Sequence, residues 1–283
     1  MLAQINQREV SRVDTPSIQP GLSPAHKVRP LVESNDQIAT DPFLLLMEDW
    51  FPIGVFDRHP HRGIETVTYI IEGAVDHYDN HGNSGQIAAG EALWLTAGRG
   101  LVHNEVPAND KPAHLLQLWV NLPAKSKMAP ARFQEIHAST LPVRREDGVE
   151  VRVFSGSSGS AVSPTSNHAP VTMVEILLQP SATFRQELPA GYNGFVVVLE
   201  GDGKIGASQT PVAAGQVAWL TRCAEESNVS FAGGDRPMRA ILFAGLPIGE
   251  PIVARGPFVM NTVDEIDAAY AEYRRVGQGF GAL

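Results

Sequence analysis

Two short stretches of this sequence carry side chains suited to holding a metal ion: His59-Pro60-His61 and His103-Asn104-Glu105. In an extended strand, residues i and i+2 project from the same face, roughly 7 Å apart along the chain. Each stretch therefore presents two ligands to one side. A pairing of strands that brings those sides together would assemble three imidazole nitrogens and one carboxylate oxygen. That donor set suits Fe(II), Mn(II), Ni(II), Co(II) or Zn(II). Four protein ligands on a six-coordinate ion leave two positions for substrate, dioxygen or water, whereas structural zinc sites are closed and rich in cysteine. Pro60 has no N–H to give to a ladder, so its strand belongs at an edge or a bulge.

The elements that must position these residues are short strands. The 26 glycines and 21 prolines are spread along the 283 residues, and Val, Ile, Leu, Trp and Phe gather in brief runs between them. Such a pattern predicts an all-β chain built as a sandwich or barrel. The clearest strands fall at 43–47, 66–71, 92–95 and 115–122, then at 149–154, 171–178, 194–199, 217–220 and 238–244. An internal repeat runs through them. Thr68-Tyr69-Ile70-Ile71-Glu72-Gly73 resembles Val196-Val197-Val198-Leu199-Glu200-Gly201, and the segment around Gly90-Glu91-Ala92-Leu93-Trp94-Leu95-Thr96 resembles Gly215-Gln216-Val217-Ala218-Trp219-Leu220-Thr221. Two copies of one β-lobe explain this, with 1–135 forming the metal-binding lobe and 136–283 a degenerate lobe without metal. No histidine follows His168, so the second lobe lacks the means to rebuild a His pair. One short helix is predicted near the end, where Thr262 and Glu265 form a capping box ahead of Ile266, Ala269, Tyr270 and Tyr273, and Gly277 stops it.

Composition narrows the function classes. Thirty-one Asp and Glu against 22 Lys and Arg give a net charge of −9, which disfavours direct nucleic-acid binding. A single cysteine, Cys223, excludes an internal disulfide and a thiolate-rich zinc site. The N-terminus lacks an apolar leader and no apolar run is long enough to span a bilayer, so the expected location is the cytoplasm, with no membrane partner.

The blocks around both metal-ligand stretches resemble those of the pirin family, a group of bicupins. The first is His59-Pro60-His61-Arg62-Gly63-Ile64-Glu65-Thr66-Val67-Thr68-Tyr69, and the second is Thr96-Ala97-Gly98-Arg99-Gly100-Leu101-Val102-His103-Asn104-Glu105. Asp41-Pro42-Phe43-Leu44-Leu45-Leu46, the block from Pro112 to Leu122 and the block from Gly256 to Thr262 extend the likeness over roughly residues 10 to 280. The resemblance implies two jelly-roll barrel lobes (double-stranded β-helices) and a short C-terminal helix. It implies one divalent metal, Fe(II) foremost, held by His59, His61, His103 and Glu105. A competing alignment exists, because His59-x-His61-x-x-x-Glu65 also fits the general cupin motif in which the glutamate is a ligand. On the pirin assignment Glu65 becomes a supporting residue, expected to pair with Arg62 or Arg99. At Met47-Glu48-Asp49-Trp50-Phe51 the chain departs from the family, which usually carries an acidic pair and a single Phe there. That segment is expected to line the cavity mouth, and the departure bears on which substrate is taken.

The implied activity is that of an oxidoreductase: a quercetinase, cleaving a flavonol with dioxygen at the 2,3 position, with Glu105 as ligand and proton acceptor and Phe56, His114 and Gln117 as pocket residues. The alternative is a metal-containing regulatory or redox-sensing protein that binds a transcription or metabolic-enzyme partner without catalysis. Other features read as structural. His77 and His81 flank a turn and read as solvated, and His26 has no partner in sequence. Gly201-Asp202-Gly203-Lys204-Ile205-Gly206 is a hairpin turn, since no helix follows it to bind a nucleotide. Trp94 and Trp219 occupy equivalent repeat positions and read as core.

Overall fold

A computed structural model of the chain describes residues 6–33 and 36–282. Two antiparallel lobes carry the repeat. In the first, a seven-stranded sheet runs in the order Arg132–Ile136, Ala92–Thr96, Ile64–Glu72, Ala113–Asn121, Phe43–Phe51, Lys27–Glu33 and Gln19–Pro20. A four-stranded sheet, His59–His61, Leu101–Pro107, Ala74–Asp79 and Ser84–Ala88, faces it. The second lobe repeats the pattern. Its larger sheet places Val217–Leu220, Asn193–Glu200, Met238–Gly245 and Val171–Leu178 side by side, in the order of their counterparts in the first lobe. The Gly201–Gly206 stretch lies in a hairpin of paired strands Asp202–Ile205 and Thr210–Ala213, as its turn chemistry predicts.

Alternation with a period of two sorts each strand's side chains between the interior of its own lobe and the other lobe. On Ala113–Asn121, Leu116, Leu118 and Val120 pack across the interface, while Leu115, Gln117 and Trp119 turn into the first barrel. The interface is the largest apolar cluster and includes Trp94 and Trp219. Its aromatic centre is Phe195, edge-on to Phe43 at 5.3 Å and stacked on Phe243 at 5.2 Å. The barrel of the second lobe is itself filled with apolar side chains, among them Val151, Val174, Phe184, Val196 and Phe231.

The chain ends cross over. Asn6–Gln7 and Val10–Asp14 hydrogen-bond to strands of the second lobe, although they precede the first. The C-terminal segment returns to the first lobe, where Phe258, Ile266, Ala269 and Phe280 pack on Val102. The helix Val263–Val276 has the capping box expected from Thr262 and Glu265, and Gly277 closes it at φ 52°. Arg132–Ile136 still pairs within the first lobe and Val143–Glu146 begins the second. We therefore propose that the division lies just past the expected residue 135, with both chain ends exchanged. No helix among the described residues is long and apolar enough to cross a membrane.

Lys127 pins the returning segment. It is 1% exposed, and its Nζ donates to Gly63 O at 2.8 Å, Asn121 Oδ1 at 2.5 Å and Val259 O at 2.9 Å. Burial pushes its ammonium down to about 7, while three acceptors match the three N–H groups of the charged form. Gly63 must be glycine, with φ at 78° and a Cβ that would fall 1.9 Å from Val259 O. Lys127→Met strands three buried acceptors. It is expected to lower stability by about 2–4 kcal/mol, read as a lower denaturant midpoint at unchanged slope.

Candidate metal centre

Register assembles the imidazoles. His59–His61 pairs antiparallel with Leu101–Pro107, which sets His103 opposite His59 and Leu101 opposite His61. The three rings meet at centroid separations of 4.9, 4.5 and 5.0 Å, and their ligand nitrogens all lie within 4.8 Å of one another. His59 Nδ1 donates to Asp57 O at 2.8 Å, so its Nε2 presents a lone pair, 3.1 Å from His103 Nε2. That separation suits two nitrogens on one ion, since neighbouring ligands at about 2.1 Å and a right angle stand about 3 Å apart. Burial first, and then neighbouring imidazoles, drive His61 and His103 well below the usual histidine range, which keeps both neutral and able to ligate. His61 Nδ1 is buried without a hydrogen-bond partner among the described residues.

Glu105 lies next along the same strand face. Its carboxylate groups with His103 and His77 in a second set of atoms within 4.8 Å, and its Oε1 accepts from Thr68 Oγ1 at 2.7 Å. Gln117 Oε1 is 3.0 Å from the same hydroxyl.

His77 is the residue that sequence reasoning missed. Expected in solvent beside a turn, it is 2% exposed, opposite Glu105 in register, and its Nδ1 is 3.5 Å from His103 Nδ1. Its Nε2 faces Asp79 Oδ2 at 3.6 Å. Together these atoms line up carboxylate, His77, His103 and cavity, the order in which a ligating histidine is commonly held from behind. The spacing His77-x-Asp79, another i, i+2 pair, was the available signal. Burial works against the Asp79 carboxylate, but the His77 imidazole 3.6 Å away and hydrogen bonds from Asn83 and the His81 N–H outweigh it and hold the group down to about 2. A depressed carboxylate stabilises the fold fully above about pH 4, its ordinary range, and that contribution is lost as pH falls through about 2. Asp79→Asn is therefore expected to flatten this part of the acid-unfolding curve, followed by circular dichroism.

Glu65 is buried on the face opposite the cavity. It accepts from Trp94 Nε1 at 3.0 Å and Thr96 Oγ1 at 2.8 Å, and neither Arg62 nor Arg99 pairs with it, contrary to expectation. Arg62 instead donates to Arg99 O at 2.6 Å and Glu272 at 2.7 Å, with its guanidinium 4.3 Å from the centre of the Phe280 ring. His114 also lies off the cavity, stacked on Trp50 at 4.4 Å and bonded to Glu48 at 2.8 Å.

The imidazoles open into a cavity of about 850 Å³ inside the first barrel. Phe56 and Gln117 line it, and so do Met47, Asp49 and Phe51. Trp119 borders the His61 end, with ring centroids 5.1 Å apart. His26, for which the sequence shows no partner, is 4% exposed on the cavity wall and bonded to Asp49.

Residues 32–120 match the family model described as Pirin, and residues 173–279 match the Pirin C-terminal cupin domain. Human pirin is 39% identical over 246 residues, which cover 85% of this chain and 83% of that protein. GK1651 from Geobacillus kaustophilus superposes with a TM-score of 0.85 at 44% identity, covering 88% of this chain and 100% of the other. A quercetin 2,3-dioxygenase from Acinetobacter baumannii superposes with a TM-score of 0.85 at 30% identity, covering 96% of this chain and 99% of the other.

Proposed function

Since this chain belongs to the pirin family, we propose that its first lobe is a single-metal dioxygenase site that takes a flavonol of the quercetin type. The observation that carries this reading is one largely apolar cavity of about 850 Å³ that ends on three converging imidazoles and a carboxylate. Pockets that enclose a drug-sized ligand run roughly 300–1,000 Å³, enough for a flavonol. The likeness to the Acinetobacter quercetin 2,3-dioxygenase supports the same substrate class.

The proposed ligands are His59, His61, His103 and Glu105, and the proposed ion is Fe(II), with Mn, Ni, Co or Zn as alternatives. Such an ion makes a bound enol hydroxyl more acidic and stabilises its anion. The chain's own residues do the rest. Glu105, held by the Thr68 hydroxyl, is the base that accepts the enol proton. Leu45, Met47, Leu115 and Trp119 flank the rings of the substrate and exclude water. His77 and Asp79 keep His103 in the tautomer that presents Nε2 to the cavity.

The test is to incubate iron-, manganese-, nickel- and cobalt-loaded protein with quercetin under air while following oxygen uptake and carbon monoxide release. Turnover above that of free metal with at least one ion, absent in His61→Ala, is expected. No turnover with any ion, together with a protein partnership that His61→Ala disrupts, would favour the regulatory reading instead.

A further inference from the structure

The metal ligands occupy one end of the cavity, and a second polar feature stands in its otherwise apolar wall. Rows of paired side chains locate it. Trp119 beside Leu45 borders His61, Gln117 beside Met47 borders the Thr68–Glu105 pair, and the next row inward is Leu115 beside Asp49. Each row is about 7 Å beyond the last. Asp49 is 6% exposed, with Val28, Phe51, Phe56 and Leu115 around it on the cavity wall.

His26 holds this carboxylate. Its Nδ1 accepts the Leu22 N–H at 2.9 Å, so its proton sits on Nε2 and is donated to Asp49 Oδ1 at 2.8 Å. The loop from Gly21 to His26 is closed on itself, with Gly21 N donating to His26 O at 2.8 Å and His26 N donating to Ser23 O at 3.0 Å. Phe56 and Phe51 meet the His26 ring edge-on at 5.3 and 6.1 Å. A Cβ at Gly21 would fall 2.2 Å from His26 Nδ1, so only glycine lets the loop seat this ring. With both His26 nitrogens committed, the pair has no donor left to offer. What remains is acceptor capacity on Asp49, whose side chain takes no other hydrogen bond among the described residues.

We propose that the His26–Asp49 pair is a recognition site for a hydrogen-bond donor on the ligand, an aromatic hydroxyl at the end remote from the metal. The inference rests on the cavity's being the substrate site proposed above. A ligand gripped at both ends must be a hydroxylated aromatic long enough to reach two rows past the His61 end, and an unhydroxylated ring leaves a buried carboxylate without its donor.

The experiment uses the metal-loaded protein without oxygen and two probes, quercetin and the analogue that lacks both hydroxyls on its pendant ring. Binding is followed by fluorescence titration. Quercetin is expected to bind about tenfold tighter or more, the range for a hydrogen bond to a charged group. Asp49→Leu should erase that difference while the analogue binds at least as tightly as before, which also reports an intact cavity. The isosteric Asp49→Asn should bring the two affinities most of the way together. Equal affinities in the unaltered protein, an equal loss for both probes in the variants, or no measurable binding of either probe overturns the proposal. Discrimination without turnover contradicts the dioxygenase reading alone, whereas turnover of both flavonols at equal KM contradicts the recognition site alone.

Discussion

His61→Ala is expected to abolish tight binding of a divalent metal, with affinity falling by at least a hundredfold. Altering a residue that merely supports a ligand already costs about 10–100-fold, and His61 is proposed as a ligand itself. It is 3% exposed and cannot be replaced by a neighbour, because Arg62 turns away to Arg99 O and Glu272. Isothermal titration with Mn(II) or Ni(II), with metal analysis of the purified protein, reads the effect. His114→Ala should leave binding intact, since His114 stacks on Trp50 outside the cavity. The unaltered protein should hold one tightly bound ion per chain, because the second barrel is filled with apolar side chains and shows no cluster of ligands among the described residues. Retained affinity in His61→Ala, or two ions per chain, would contradict the assignment.

Glu175→Leu is expected to destabilise the protein by about 3–5 kcal/mol, the cost of removing one member of a buried charged network. Glu175 is fully buried between the lobes. Its Oε1 accepts from Tyr69 Oη at 2.6 Å and Arg239 Nε at 2.7 Å, and its Oε2 accepts from Arg152 Nη1 at 3.2 Å. Arg239 Nη2 also donates to Tyr69 Oη at 2.8 Å. Burial and the adjacent carboxylate push the Tyr69 phenol far upward, so it remains a donor at any ordinary pH. Loss of the carboxylate leaves two guanidinium groups and a phenol at the lobe interface without their common acceptor. Chemical denaturation measures the loss, and because the network lies outside the cavity, metal affinity of the folded variant should be unchanged.

The histidine pairs were legible because the i, i+2 rule is local and holds whatever the rest of the chain does. The choice between Glu65 and Glu105 was harder. Gly63, at φ 78°, breaks the strand between His61 and Ile64. The alternation restarts there, so Glu65 joins Val67 and Tyr69 on the face toward the second lobe. Parity counted from His61 across the glycine bend puts Glu65 on the wrong face; the i, i+2 rule offered Glu105 beside His103, and the family resemblance made the choice between the two. The two-lobe fold was readable from its repeated strand, glycine and tryptophan signals. The exchange of chain ends was not, because the pairing of Val10–Asp14 with Val217–Leu220 joins segments some 200 residues apart and leaves no local trace. His77 and His26 were misread for a related reason. A polar turn or a Pro-rich loop reads as solvated, yet Asp79 and Asp49 draw these imidazoles into the barrel.

The central proposal is that one ion binds between the His59, His61 and His103 imidazoles, with Glu105 as its fourth ligand. The most direct measurement is an anomalous-difference map from crystals of manganese- or nickel-loaded protein, collected at the absorption edge of the metal. The account predicts one strong peak per chain, bonded to nitrogens of His59, His61 and His103 and to a carboxylate oxygen of Glu105, at the end of the cavity bordered by Trp119. A peak bonded to Glu65, a peak on His77 that excludes His59 and His61, or a peak in the second lobe would contradict it.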